Sequence, residues 1–286
     1  MFSRPQHTLK KEVVFSGVGI HTGKEVTIRF CPAPIHSGII FQRIDLPGKP
    51  TIPAGVEYVQ DTSRSTKIGV GGCSVQTVEH VLAALSAYQI DNLCIQVTDG
   101  EPPIGDGSSN VFVDLIEEGG IEEQQALLSI QSVQQPVYFS HGSTHLIALP
   151  ASEFRISYTL HYPNTQVIRS QYYSLTISPQ NFKQELSACR TFALYDEITY
   201  LMEKGLIRGG SLENAVVIKD DVIFSKEGLR FPDEMVRHKI LDLVGDLALV
   251  GFPFFAHIIA IRSGHASNVG LGKELMKHLS RRQSNE

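Results

Sequence analysis

A chain of 286 residues is long enough for two ordinary domains, and 42% apolar with 19% charged residues is the balance of a globular rather than a disordered protein. A net charge of −5 leaves no basic footprint for nucleic acid. The 4 cysteines (Cys31, Cys73, Cys94, Cys189) contain no C-x-x-C pair, which speaks against a disulfide framework or thiolate metal cage and for a reducing, cytoplasmic compartment.

The opening Met-Phe-Ser-Arg-Pro has no apolar stretch behind it, so no secretory signal is expected. Short β-prone runs at 26–30, 38–42 and 67–70 lie between Gly and Pro punctuation. An Ala- and Leu-rich helix is predicted over 75–88, a strand over 93–97, and a second helix over 109–118, ended by Gly119-Gly120. The polar, Gln-rich stretch 122–132 reads as the connection between two halves.

The second half repeats the plan, with strands over 136–149 and 154–160 and a helix over 179–188. A longer helix is predicted over 234–249, with Pro232-Asp233 as its start signal and Asp233 able to cap it. A strand over 257–261 follows. The apolar run 247–261 is broken by Gly251, Pro253 and His257 and is shorter than the ~20 residues that cross a bilayer, so no membrane span is expected. In each half a histidine sits in a helix followed by a turn and an apolar strand. This pattern predicts two similar α+β domains, 1–126 and 127–286, each presenting one histidine to a shared cleft.

Three places carry candidate chemistry. On the 234–249 helix, at about 100° per residue, Val236, Ile240, Leu243, Val244 and Leu247 form a core stripe. His238, Asp242 and Asp246 form a second stripe, roughly 140° away by the same arithmetic. His and Asp one turn apart can address one metal ion, with Asp246 as an orienting carboxylate. The same spacing also fits a solvated face or a simple ion pair.

Glu79-His80 lies in a helix too apolar to be a water-facing surface, where a Glu is costly unless it is paired or faces a cleft. A neutral imidazole is a good Zn²⁺ ligand, and the adjacent carboxylate can take a proton from water that the metal activates. Three protein ligands leave a coordination position open, as catalysis requires. Arg262-Ser263-Gly264-His265 ends the last predicted strand, where His265 could protonate a leaving amine or stabilise an oxyanion; a plain surface turn fits too. Two Gly-rich segments, 17–23 and 101–108, lack the Gly-Lys-Ser/Thr ending of a P-loop and read as tight, shaped loops.

Together and in order, residues 17–23, Thr77-Val78-Glu79-His80, Asp106-Gly107-Ser108, Arg190-Thr191-Phe192, Gly209-Gly210-Ser211, the segment from Arg237-His238-Lys239 to Gly245-Asp246, and Ser263-Gly264-His265 span nearly the whole chain. This ordered set resembles the zinc-dependent UDP-3-O-acyl-N-acetylglucosamine deacetylases, which catalyse the committed step of lipid A biosynthesis in Gram-negative bacteria.

The resemblance implies an α+β fold of two α/β-sandwich domains, helices packed on a mixed sheet, with the active site at their interface. It implies hydrolysis of the 2-acetamido group of a UDP-linked acylated amino sugar to a free amine and acetate. By the same likeness His80, His238 and Asp242 are ligands of Zn²⁺ or Fe²⁺, and Glu79 is the general base. Thr191 meets the oxyanion, and His265, oriented by Asp246, is the cation near the leaving amine. Lys239 and Arg262 would meet the diphosphate, and Phe192 the substrate. The segment 195–217 resembles the family's acyl-chain-enclosing insert, with Ile198, Leu201, Ile207, Ala215 and Val217 as lining candidates that a plain core reading fits equally well. After Thr191-Phe192 the chain has Ala193-Leu194 where Gly-Phe is frequent in the family. No obligate protein partner is implied. An amidase for another acylated amino sugar, or a non-catalytic nucleotide-lipid binder, are the competing readings; a binder needs no general base.

Overall fold

The computed structural model describes residues 2–163 and 165–283. Strands β1 (Phe2–Leu9), β2 (Val13–Val18), β3 (Glu25–Pro32), β4 (Ile39–Arg43) and β5 (Thr51–Pro53) open the chain, followed by the short β6 (Val59–Asp61), β7 (Lys67–Val70) and β8 (Cys73–Val75). Helix α1 (Glu79–Ala87), strand β9 (Leu93–Val97) and helix α2 (Asn110–Gly119) complete the first half. The second half contains β10 (Ile121–Ser132), β11 (Val137–His141), β12 (Thr144–Leu149), β13 (Phe154–Tyr162), β14 (Arg169–Thr176) and a short α3 (Pro179–Asn181). Then come β15 (Phe192–Leu194), α4 (Tyr195–Glu203), β16 (Val216–Lys219), β17 (Val222–Phe224), α5 (Glu234–Ala248), β18 (Phe254–Ile261) and α6 (His265–Gln283).

The predicted repetition is present in the topology. In the first half the strand order is β2-β3-β9-β4-β5, with β9 antiparallel to β3 and parallel to β4. In the second, β11, β12, β18, β13 and β14 lie side by side, with β18 antiparallel to β12 and parallel to β13. In each sheet the strand that follows the histidine-bearing helix is therefore inserted at the centre. Such a strand is covered on one face, and β9 and β18 alternate buried and half-buried residues accordingly.

The 122–132 stretch, read as the connection between the halves, is strand β10, paired antiparallel with β1 and joined in parallel to β18 through Gln131 and Ser132. Its sequence hides this because most of its side chains are exposed or half-buried, so no strong apolar alternation marks it. The division between 126 and 127 falls inside this strand. The helix expected over 75–88 begins only at Glu79: β8 occupies Cys73–Val75, and Thr77 is left-handed at φ 56°, which breaks helical continuity. At the other helix, Asp233 does stand at the N-cap, but its carboxylate accepts from Arg237 Nε at 2.6 Å rather than from the helix backbone.

Helices α1 and α5 pack against each other in the interior, and one continuous apolar cluster runs from the first sheet through both helices to the second. Of the 15 residues of α5, 12 are buried, so the stripe of His238, Asp242 and Asp246 faces protein and cleft rather than solvent. Gly245 permits the close approach: a Cβ there would lie well inside van der Waals contact of the Glu79 carbonyl oxygen. Gly245→Ala is expected to force the two helices apart, lowering stability by about 1–3 kcal/mol as overpacking does, and to misplace Glu79. Thermal unfolding and turnover measured together check this, and an unchanged melting temperature would contradict the packing.

Candidate metal centre and active-site cleft

The late start of α1 puts Glu79 and His80 in its first turn, where free N–H groups favour a carboxylate. Both are buried, at 3% and 4% exposure, against α5. From α5, one turn apart, come His238 and Asp242, at 2% and 3%. His238 Nε2 lies 3.4 Å and His80 Nε2 lies 3.6 Å from the same Asp242 oxygen, and the three donor atoms all fall within 4.8 Å of one another.

These separations are long for hydrogen bonds. The shorter falls on the edge of a tetrahedron, about 3.3–3.5 Å, whose centre-to-corner distance is the ~2.0–2.1 Å of a zinc–nitrogen bond, and the longer lies just beyond it. The chemistry of the donors also fits a metal. The Nδ1–H of His238 is directed at the Cys189 carbonyl at 3.1 Å, leaving Nε2 as the lone-pair donor, and burial pushes the ring down to about 4, so it is neutral. Burial opposes the charge on Asp242, but the Lys239 ammonium, 2.8 Å away, holds that carboxyl well below its ordinary value. His80 is buried with Nδ1 unpartnered among the described residues, so the protein alone does not satisfy this ring. No other group of three or more His, Cys, Asp or Glu side chains among the described residues converges in this way.

Glu79 and His265 share the same cleft. Glu79 Oε2 accepts from the Thr66 backbone N–H at 3.0 Å, while Oε1 lies 3.9 Å from His265 Nε2. Burial pushes the Glu79 carboxyl up, with His265 and His80 partly opposing it. His265 Nδ1 meets Asp246 Oδ2 at 2.9 Å. Asp246 is also held by Thr66 Oγ1 at 2.5 Å and by Asn268 Nδ2 at 2.9 Å. Burial works against a charged imidazole, but Asp246 and Glu79 together outweigh it and bring His265 up to about 9. His265 begins helix α6 rather than lying in a turn, and a cation at a helix N-terminus is unfavourable, so the two carboxylates overcome that as well.

Thr66 and Asn268 were not singled out from the sequence. No local pattern marks Thr66; only the fold places its backbone on the base and its hydroxyl on the orienting carboxylate. Asn268 lies one helical turn after His265, a spacing that could have drawn attention to it once α6 was recognised.

The cleft has a volume of about 660 Å³ and is lined by Glu79, His80, Thr191, Phe192, His238, Lys239, Asp242 and His265, among others. Thr191 is pinned on both sides, donating its N–H to the Gly107 carbonyl at 2.8 Å and accepting from Val216 N–H at 2.9 Å. Gly107, at φ 87°, is irreplaceable there, because a Cβ would run into the Asn214 carbonyl. Lys239 reaches the cleft, with its ammonium on Asp242 and 5.5 Å from the Phe192 ring centre.

The remaining substrate-contact candidates lie elsewhere. Arg262 is exposed and is not among the lining residues, and neither are Ile198, Ile207 and Ala215. The 195–217 segment lies within a crossover that runs from 192 to 219: β15 and β16 pair in parallel with α4 between them. The first Gly-rich loop serves this segment. The carbonyls of Ile20 and His21 accept from Gly209 and Arg208 N–H, and Glu101 holds the loop by accepting from His21 N–H and Thr22 N–H.

The family described as LpxC, UDP-3-O-acyl N-acetylglycosamine deacetylase, matches residues 6–277 of the chain. The chain is 54% identical over 280 residues to the UDP-3-O-acyl-N-acetylglucosamine deacetylase of Chlamydia pneumoniae, covering 98% of this chain and 99% of that relative. It is 52% identical over 279 residues to the deacetylase of the same name from Chlamydia felis, with 98% and 99% coverage. To that of Chlamydia trachomatis serovar L2 it is 49% identical over 283 residues, with 99% coverage of each.

Proposed function

The chain belongs to the UDP-3-O-acyl N-acetylglycosamine deacetylase family and carries out the deacetylation step of lipid A biosynthesis, and from that premise we propose how its residues do so. The reading is a zinc-dependent amidase that hydrolyses the 2-acetamido group of UDP-3-O-(3-hydroxyacyl)-N-acetylglucosamine to the free amine and acetate. The observation that carries it is the convergence of His80, His238 and Asp242, with donors 3.4 and 3.6 Å from one carboxylate oxygen, beside Glu79 in a cleft that also holds His265.

His80, His238 and Asp242 would hold the ion, which supplies water acidification and charge stabilisation at the acetamide oxygen. Zn²⁺ and Fe²⁺ both suit two imidazoles and a carboxylate. Glu79, ionised, accepts the proton of the attacking water. The Thr191 hydroxyl donates to the developing oxyanion. His265, kept cationic by Asp246 and Glu79, faces the charge that builds on the opposite side and holds a proton within reach of the departing amine. Lys239 balances Asp242, and Phe192 forms part of the wall near the sugar. Among the described residues no helix is long and apolar enough to cross a membrane. The free cysteines and the nucleotide-linked substrate are consistent with work in the cytoplasm.

The deciding experiment is acetate release by the purified chain from the UDP-linked acyl-N-acetylglucosamine, with and without chelator. Release that a chelator does not reduce would remove the metal from the reaction.

A pH profile follows from the two titrating groups. Glu79 is raised, so activity falls as pH drops through a value above the ordinary carboxylate range. His265 is raised to about 9, so its cation is present below that and is lost as pH rises through it. The profile of kcat/KM is therefore expected to be bell-shaped, and His265→Gln is expected to remove the alkaline limb and to lower kcat by about 10²-fold or more. An alkaline limb unchanged in that variant would assign it to another group.

A further inference from the structure

We propose that the buried Arg190–Glu234 pair is a positioning clamp for the metal centre, holding the Cys189 carbonyl against His238 and presenting Thr191 to the cleft. The inference rests on the metal site proposed above and extends it to two residues that belong neither to the cleft lining nor to the ligand group.

The pair is among the most enclosed charges in the protein, with side chains 1% and 0% exposed. Glu234 Oε1 accepts from both the backbone N–H of Arg190, at 3.0 Å, and its Nε, at 2.9 Å. Oε2 accepts from Arg190 Nη2 at 3.1 Å and from the Arg230 backbone N–H at 2.8 Å. An apolar pair of similar volume is often as stable as a buried ion pair, so stability alone does not account for it. An apolar pair could not grip the backbone of residue 190.

The consequence is a closed ring of bonds. Glu234 stands in the first turn of α5, and His238 lies one turn further along the same helix. The Nδ1–H of His238 is directed at the carbonyl of Cys189, 3.1 Å away. Cys189 is joined by one peptide bond to Arg190, which returns to Glu234. Opening the ring at the clamp frees the carbonyl that selects the His238 tautomer and aims Nε2 at Asp242. It also frees the residue next along the chain, Thr191, on its Arg190 side.

The test is metal affinity of the apo chain, measured by chelator competition with Zn²⁺ and by the visible absorption of bound Co²⁺, alongside apo thermal unfolding. Glu234→Gln keeps the shape and removes the charge. It is expected to weaken metal binding about 10- to 100-fold and to alter the Co²⁺ spectrum. The double variant R190M/E234M leaves no buried charge unpaired, although the Arg190 and Arg230 backbone N–H groups lose their acceptor. Its apo stability is therefore expected above that of Glu234→Met alone, while metal affinity stays reduced by the same factor. Wild-type affinity and spectrum in either variant, or affinity that recovers with stability in the double variant, overturns the clamp. A wild-type chain that binds neither Zn²⁺ nor Co²⁺ overturns the metal assignment, and the clamp with it.

Discussion

Replacing Glu79 with Gln is expected to lower kcat by about 10²- to 10⁴-fold while about one metal ion per chain is retained. The amide occupies the carboxylate's space and can still accept from Thr66 N–H, so the wall beside His80 is kept. What is lost is the only function an amide cannot perform, taking a proton. Two further readouts separate this from general damage. Glu79 helps to hold His265 protonated, so the alkaline limb should move to lower pH in the variant. The Glu79 carboxyl is raised above its unfolded value, so its ionisation weakens the fold at neutral pH, and that penalty is lost as pH falls through the folded value. The neutral variant should therefore be at least as heat-stable as the parent at pH 7. Full activity in Glu79→Gln would remove it as the base.

The other large effect is expected from the ligands. His238→Ala or Asp242→Ala should empty the site and lower turnover by about 10³-fold or more, since a bound ion supplies several kcal/mol of charge stabilisation. The two variants should differ in stability. Removing Asp242 leaves the Lys239 ammonium without its 2.8 Å partner, whereas removing His238 leaves a cavity and an unpaired Cys189 carbonyl. Chelation of the parent chain should reproduce the loss of activity without either structural penalty, and add-back of Zn²⁺ or Fe²⁺ should restore it. Metal content by mass spectrometry checks both, and full stoichiometry in the single variants would sink the site.

Much of the α5 side of this centre is visible in one stretch of sequence. Helical spacing alone puts His238, Asp242 and Asp246 on one face, because side chains one turn apart are neighbours whatever surrounds them. The apolar run after Asn92 matches β9 residue for residue, and the helix started by Pro232-Asp233 ends within one residue of α5. Helical spacing could not say whether the polar stripe meets water. That depended on α1 covering it, through the close approach that Gly245 allows. Ordered motifs bridged this gap by resemblance rather than by physics.

Lys239 and Arg262 stand in different surroundings. Both were expected to meet the diphosphate. Lys239 lies in the cleft on Asp242, and Arg262, left-handed at φ 54°, has its N–H on the Thr159 carbonyl and is exposed. Strands such as β1 and β10 escaped notice because their partners, not their own periodicity, make them strands.

By itself the sequence determined the family and the two-part α+β plan, and it offered the histidines and carboxylates of the candidate metal centre, because residue types and short spacings are local properties. The tertiary structure alone decided that His80 on α1 and His238 on α5 address the same Asp242 oxygen. It alone made Thr66 bridge Glu79 to Asp246 and bound Glu234 to Arg190 behind His238. Those are contacts between residues far apart in the chain, and they exist only where two sheets and their helices have already packed around one core.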